Sequence, residues 1–281
     1  MTELPPSRAL CRLTLLAALT LSGAAAHAAG SDFVDGFDSA SGRWWAANGW
    51  SNGAPFAVGW RADQVHVGGG SLTLDLGACP AGAGACSGMS LAGAEYRSSD
   101  FYGYGHFETT MQAASGSGVV TGFFTYTGPS DGQPWDEIDV EILGKDPSKL
   151  QLNYFVNGVG GHEHVINLGF DASAGLHRYA FDWRADALRW YVDGTEVYSV
   201  LGVGTPLPTH AGRIMSNLWA VDASASGWAG SFADGTRATT SIDAISYSSA
   251  AAPVPEPASA VLMTLGAIGL LARSRRSRLA R

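Results

Sequence analysis

Between Asp32 and Ser249 apolar residues recur at every second position over short runs, and no long segment keeps the spacing of an amphipathic helix. Ser71-Leu72-Thr73-Leu74-Asp75-Leu76 alternates strictly. Tyr179, Phe181 and Trp183 fall on one face of a predicted strand, with Arg178, Ala180 and Asp182 on the other. Leu188 to Val192 and Thr195 to Val200 flank Asp193-Gly194, a pair that takes the positive φ angles of a type I′ turn and so predicts a hairpin. Many short strands separated by turns predict an all-β, antiparallel sandwich. The 37 glycines serve tight turns rather than disorder, because 10% aromatic residues is too many for a chain without a core. No internal repeat is present.

The two ends follow another pattern. Arg8 and Arg12 precede an apolar run from Leu13 to Leu21, and Ala26-His27-Ala28 then offers small residues to a signal peptidase. Residues 1–29 therefore read as a secretory signal peptide. At the other end Val254-Pro255-Glu256-Pro257 is followed by an apolar stretch, Ala258 to Ala272, and by Arg273, Arg275, Arg276 and Arg278. The stretch is shorter than the ~20 residues that comfortably cross a bilayer. Its layout resembles the PEP-CTERM sorting signal of diderm bacteria that secrete exopolysaccharide, which implies transient membrane retention and processing by an exosortase-type enzyme. An ordinary C-terminal anchor, with the arginines as a positive-inside stop, is the alternative. Either way the body is exported, to the cell surface or beyond. The chain divides into the signal peptide, a β-sandwich over residues 30–249, and a linker with the sorting segment over 250–281.

The net charge is −8, and the ends carry many of the basic residues but few of the acidic ones, so the body is more acidic still. Such a body repels phosphates, which excludes nucleic acid, whose binding needs a basic surface to displace counterions. A neutral polysaccharide suits it better. Of the three cysteines Cys11 leaves with the signal. Cys79 and Cys86 remain in an oxidising compartment, and Gly82 and Gly84 between them let the chain fold back, so a Cys79–Cys86 bridge is expected.

The most informative stretch is Trp135-Asp136-Glu137-Ile138-Asp139-Val140-Glu141-Ile142-Leu143. As a strand it aims Glu137, Asp139 and Glu141 one way and Ile138, Val140 and Ile142 the other, into a core. Three acids in a row repel one another, so a purely structural strand rarely carries them. A solvated face or a calcium site is the bland reading. The chemical one is glycosidic hydrolysis, which needs a protonated carboxyl for the leaving oxygen and an ionised one opposite. Crowding by Asp139 and Glu137 would raise proton affinity and keep Glu141 an acid near neutral pH. Four residues of strand separate the outer two α-carbons by ~13 Å, whereas a retaining pair needs ~5–5.5 Å between carboxyl groups. The side chains must lean together on a curved sheet.

Residues 33–247 resemble the bacterial lichenases of glycoside hydrolase family sixteen. The ExDxE signature stands as Glu137-Ile138-Asp139-Val140-Glu141, and around it lie Trp50-Ser51-Asn52-Gly53, Ala94-Glu95-Tyr96-Arg97-Ser98, Phe123-Phe124-Thr125-Tyr126-Thr127-Gly128-Pro129 and Asn217-Leu218-Trp219. The resemblance implies a concanavalin-like β-jelly-roll with a concave cleft, and endohydrolysis of β-1,4 bonds that follow a β-1,3 bond in mixed-linkage β-glucan. It implies Glu137 as nucleophile, Glu141 as general acid/base and Asp139 as the assisting carboxylate, with no cofactor for catalysis. Asn52, Glu95, Arg97, Phe124, Tyr126, Trp135, Asn153, Asn217 and Trp219 match sugar-binding positions; aromatic faces stack on sugar rings while amides and charges meet hydroxyls.

It further implies a structural calcium through Asp243 and the carbonyls of Gly36 and Gly70. A monomer is expected. Three departures stand out: Phe155 in place of a tyrosine, Trp50 in place of another, and Val58 and Gly93 where the family places a disulfide. His162-Glu163-His164 suggests two imidazoles on one strand face, but no further zinc ligand accompanies them. A glucan-binding lectin, a laminarin-type glucanase and a transglycosylase are the alternatives on the same frame.

Overall fold

The computed structural model describes residues 30–250 apart from 83 and 234; the expected signal peptide and sorting segment lie outside the described residues. Sixteen strands carry the fold: β1 (Phe33–Asp35), β2 (Trp44–Ala46), β3 (Val58–Trp60), β4 (Val65–Gly68), β5 (Ser71–Ala78), β6 (Leu91–Ser98), β7 (Gly105–Gln112), β8 (Val119–Thr127), β9 (Asp136–Leu143), β10 (Lys149–Phe155), β11 (His164–Asn167), β12 (His177–Trp183), β13 (Ala187–Val192), β14 (Thr195–Leu201), β15 (Arg213–Ala220) and β16 (Ala238–Ser249). One α-helical turn, α1 (Ser226–Ala229), is present among the described residues.

The first sheet runs β11-β10-β9-β8-β15-β6-β2. The second runs β4-β5-β16-β7-β12-β13-β14, with β1 also on β16. They join where Gly77 of β5 pairs with Ala92 of β6. Among the described residues every strand pairing is antiparallel except that of β3 with β6. The alternation read from sequence is what closes the sandwich. Leu72 and Leu74 of β5, Phe107 of β7, Phe123 of β8, and Phe181 and Trp183 of β12 are buried together. The β13–β14 hairpin turns through Asp193 and Gly194, at φ 48 and 79.

Ile138, Val140 and Ile142 of β9 are buried in that core. Each such burial contributes about 1.5–3 kcal/mol, more than the ~0.2–1 kcal/mol at stake for a cross-strand like-charge neighbour. The apolar face therefore decides where β9 lies, and its acidic face is carried to the outside of the sheet.

Cys79 and Cys86 are disulfide-bonded and close the loop between β5 and β6. A side chain at Gly59 would strike the backbone of Cys86, so glycine there lets this loop lie directly on β3. Val58 and Gly93 also meet: a Cβ on Gly93 would stand 2.8 Å from the Val58 side chain, which fills the space where the resemblance places a disulfide.

Asp136, the first residue of β9, fixes the strand to two loops. Its carboxylate accepts the N–H groups of Asn157 at 2.9 Å, Thr209 at 2.8 Å and His210 at 3.0 Å, and pairs with the His210 ring at 2.8 Å. Burial alone pushes its pKa up, but these donors outweigh burial and hold it below 3.8. Replacing Asp136 by Ala is expected to cost about 2–3 kcal/mol at neutral pH, since hydrogen bonds to a charged group contribute ~1.5–3 kcal/mol each and part of the loss is recovered by water. A folded pKa below the unfolded one means the contribution is complete above the ordinary aspartate value and fades as pH falls through the folded one. Urea unfolding of wild type and variant at a series of pH values should show the gap narrowing only in acid.

Candidate active site

The outward face of β9, β8, β15 and β6 floors a cleft of ≈ 590 Å³. Strand register explains which side chains meet there. One row across the sheet runs Gln151, Glu141, Gly122, Asn217, Glu95; the next runs Asn153, Asp139, Phe124, Met215, Arg97; a third runs Phe155, Glu137, Tyr126. Residues directly opposite in antiparallel strands share a face, so one alternation carried across several strands assembles the site. Glu137, Asp139, Glu141, Asn52, Glu95, Arg97, Phe124, Tyr126, Trp135, Asn217 and Trp219 all wall the cleft. Asn153 lies outside that wall: it is buried, and its Oδ1 accepts the N–H groups of Tyr154 at 2.9 Å and His162 at 3.2 Å.

Several of these groups are held before any ligand arrives. Arg97 Nε and Nη2 reach Glu95 Oε1 at 2.6 and 2.5 Å. Burial pushes the Glu95 carboxyl up, and Arg97 with Asn217 counters part of that rise. Asn52 accepts the indole N–H of Trp60 at 3.0 Å. Trp219 packs on Phe56 with ring centroids 4.1 Å apart. His162 stacks on Tyr154 and His164 on Tyr198, each at 3.9 Å, so the two imidazoles serve different tyrosines. Among the described residues no group of three or more His, Cys, Asp or Glu is gathered for a metal.

The three carboxyl groups of β9 differ in their surroundings. Burial pushes Glu137 up to about 7, against the opposing pull of the Trp135 indole N–H at 2.5 Å and of a hydrogen bond from Asp139. Asp139 is 5% exposed, and burial, then the charges of Glu137 and Glu141, raise its pKa well above the ordinary aspartate value. Asp139 and Glu137 are hydrogen-bonded to each other, so the pair shares a proton. Burial pushes Glu141 up to about 8, with the charge of Glu137 as the second cause. Crowding, the cause expected from sequence, thus comes second to desolvation at Glu141. Burial thus draws all three carboxyls toward their protonated forms, and Glu137 ionises before Glu141 as pH rises through about 7 to about 8.

Two partners of this set escape a reading of the sequence. Gln151 Nε2 donates to Glu141 Oε2 at 3.1 Å, and its Oε1 accepts the indole N–H of Trp228 at 2.8 Å. Gln151 was findable, since it alternates with Asn153 and Phe155 on the face of β10 that adjoins the carboxylates. Trp228 sits on α1, and no periodicity signals its approach.

Trp228 dictates which end of the Gln151 amide faces Glu141. Trp228→Phe keeps the ring and removes that N–H, so the amide is free to turn its oxygen toward Glu141, which stabilises the protonated acid. The Glu141 pKa is expected to rise by about one unit, the equivalent of one hydrogen bond to a charged group. Carbon-13 titration of the glutamate side chains checks this, and an unchanged Glu141 would show that Trp228 has no part in it.

The fold has known counterparts. A beta-glucanase of Paenibacillus polymyxa is 45% identical over 213 residues, covering 74% of this chain and 84% of that protein. A beta-glucanase of Bacillus licheniformis is 41% identical over 230 residues, covering 81% of this chain and 90% of that one. A crystal structure of a prokaryotic beta-1,3-1,4-glucanase (lichenase) derived from a mouse hindgut metagenome matches with a TM-score of 0.73 at 41% identity, over 79% of this chain and 100% of that chain. Residues 253–276 match the PEP-CTERM protein-sorting motif. Residues 52–240 match the sequence profile of glycosyl hydrolases family 16, and the chain belongs to that family.

Proposed function

We propose that this protein is an endo-acting glycoside hydrolase that cuts β-1,4 bonds adjacent to β-1,3 bonds in mixed-linkage β-glucan, with retention of configuration. The observation that carries the reading is geometric: Glu137 and Glu141 stand on one face of β9 in a single cleft, and burial raises the pKa of both. The relatives named beta-glucanase and lichenase supply the substrate class.

In the first step Glu137 attacks the anomeric carbon while Glu141 gives its proton to the departing glycosidic oxygen, leaving a glycosyl ester on Glu137. In the second, Glu141 takes a proton from water, the resulting hydroxide equivalent attacks the same carbon, and Glu137 is released as carboxylate. The electrostatics of the cleft support the change of role. The charge of Glu137 raises the Glu141 pKa. Esterification removes that charge, so Glu141 becomes a weaker acid-holder at the stage when it must first be ionised and then accept a proton. Asp139 keeps its hydrogen bond on Glu137 and serves as a positioning group. Asn52, Glu95, Arg97, Asn217 and the aromatic walls bind sugar hydroxyls and faces.

Activity is expected to fall on the alkaline side as Glu141 loses its proton near about 8, and on the acid side as Glu137 gains one. Glu137→Ala and Glu141→Ala should each lower turnover on barley glucan by at least ~10³-fold. Azide should rescue them with opposite outcomes, an α-glycosyl azide from Glu137→Ala and a β-azide from Glu141→Ala. Initial release of the α-anomer by wild type would overturn retention, and equal cleavage of laminarin would overturn the linkage assignment.

A structural calcium fits the far sheet. Asp243 is exposed and interrupts the register of β16 between Ile242 and Ala244. The pairings of β1 and β5 with β16 bring Gly36 and Gly70 to the same end of that sheet. One carboxylate with backbone carbonyls is an oxygen donor set that suits a hard cation. Calcium at a hundredfold excess over its dissociation constant is expected to stabilise the fold by ~2.7 kcal/mol. Asp243→Ala should abolish that gain in a thermal melt, with turnover at low temperature unchanged; a chelator that stops turnover of the folded enzyme would contradict it. The PEP-CTERM match supports export and membrane-associated sorting. Removal of residues 1–29 and an exosortase cut near Val254-Pro255-Glu256-Pro257 would leave the sandwich at the cell surface or free outside, as a monomer.

A further inference from the structure

Trp44 and Trp45 are adjacent in β2 and point to opposite sides. Trp44 is buried, stacks on Tyr96 at 5.6 Å and donates its indole N–H to Asp35 at 2.8 Å. Trp45 is 37% exposed. It is the direct partner of Arg97 across the β2–β6 pair, and residues so paired share a face. Since Arg97 walls the cleft, Trp45 extends the row of Asp139, Phe124, Met215 and Arg97 by one more strand. The Arg97 guanidinium lies 5.3 Å from the Trp45 ring and 5.3 Å from the Trp50 ring, and the two indoles are 6.1 Å apart. Glu95 holds that guanidinium from the other side. An exposed indole is thereby fixed in orientation at the end of a sugar-binding groove.

We propose that Trp45 adds an aromatic platform to the far end of the cleft beside Trp50 and Arg97, making a distal subsite for one more glucosyl unit. The inference rests on the glucanase reading above. Trp45 stands four strand spacings from β9, ~19 Å at ~4.8 Å each. A pyranose ring spans about one such spacing, so Trp45 meets the glucan about four sugar units from the bond being cut. The flat C–H face of a β-linked glucose covers an indole, and the ring oxygens and hydroxyls at its rim meet Arg97. A ring so far from the chemistry grips substrate equally in the ground and transition states. Its loss therefore raises KM and leaves kcat unaltered.

The test compares kcat and KM of wild type, Trp45→Ala, Trp45→Gln and Trp45→Phe on mixed-linkage oligosaccharides that either reach the subsite or stop two units short of it. Both Trp45→Ala and Trp45→Gln should raise KM for the long substrates about 3–10-fold, the equivalent of one aromatic stacking contact, with kcat and the short-substrate KM unaltered. Trp45→Phe should recover most of the long-substrate KM. Thermal melts of the four proteins separate this from a fold defect, because general destabilisation affects long and short substrates alike. If wild type cleaves both lengths and the variants keep its long-to-short ratio of KM, the subsite does not exist. Failure of wild type to cleave either length would instead overturn the glucanase reading.

Discussion

Everything in this protein depends on how β9 divides its two faces. Ile138, Val140 and Ile142 lock the strand into the core, and the same alternation leaves Glu137, Asp139 and Glu141 nowhere to point but outward. Core burial outweighs the repulsion among the acids, and that repulsion, with burial, raises their hold on protons. Among the described residues Arg97 is the cation in the cleft wall, and its guanidinium is taken up by Glu95. A sheet with basic residues opposite β9 would hold the three carboxyls ionised and chemically alike. Here the neighbouring strands present glutamine, glycine, asparagine, phenylalanine and tyrosine, all uncharged, and burial raises the acids to different extents.

On the proposed mechanism, that separation is what lets one strand supply both nucleophile and acid. Asp139, deepest of the three, is held well above the ordinary aspartate value by burial and by the charges of Glu137 and Glu141. Glu137 is also met by the Trp135 indole, and Trp135 in turn stacks on Phe155 at 4.7 Å. Phe155, which the resemblance sets against a tyrosine, gives a flat support to the tryptophan that holds Glu137. Glu141 leans on a different chain, through Gln151 to Trp228. The two glutamates thus answer to separate hydrogen-bond networks, one polar and buried under Asp139, the other reaching to a helical turn beyond the sheet.

The sequence alone revealed more of the site than is usual, because strand alternation assigns faces without knowledge of the fold. The β9 acids, Glu95 with Arg97, and Phe124 with Tyr126 all follow period two and all line the cleft. What alternation does not carry is register and depth. Asn153 sits on the correct face of β10 but spends its oxygen on the His162 loop. Gln151, two residues earlier, is the one that touches the acid. Depth decided the cause of the raised Glu141 pKa, since desolvation depends on how far the floor lies below the surface and no local pattern encodes that. Trp44 and Trp45 look alike in the sequence; only the pairing of β2 with β6 buries one and offers the other to the groove.

The central claim is the placement of protons, and neutron diffraction from deuterated crystals reads it directly. At a pH between the Glu137 and Glu141 values, about 7 and about 8, nuclear density is expected for a deuteron on Asp139 shared toward Glu137, for a second on Glu141, and for none on Glu137. A deuteron on Glu137, or an Asp139 without one, would contradict the account.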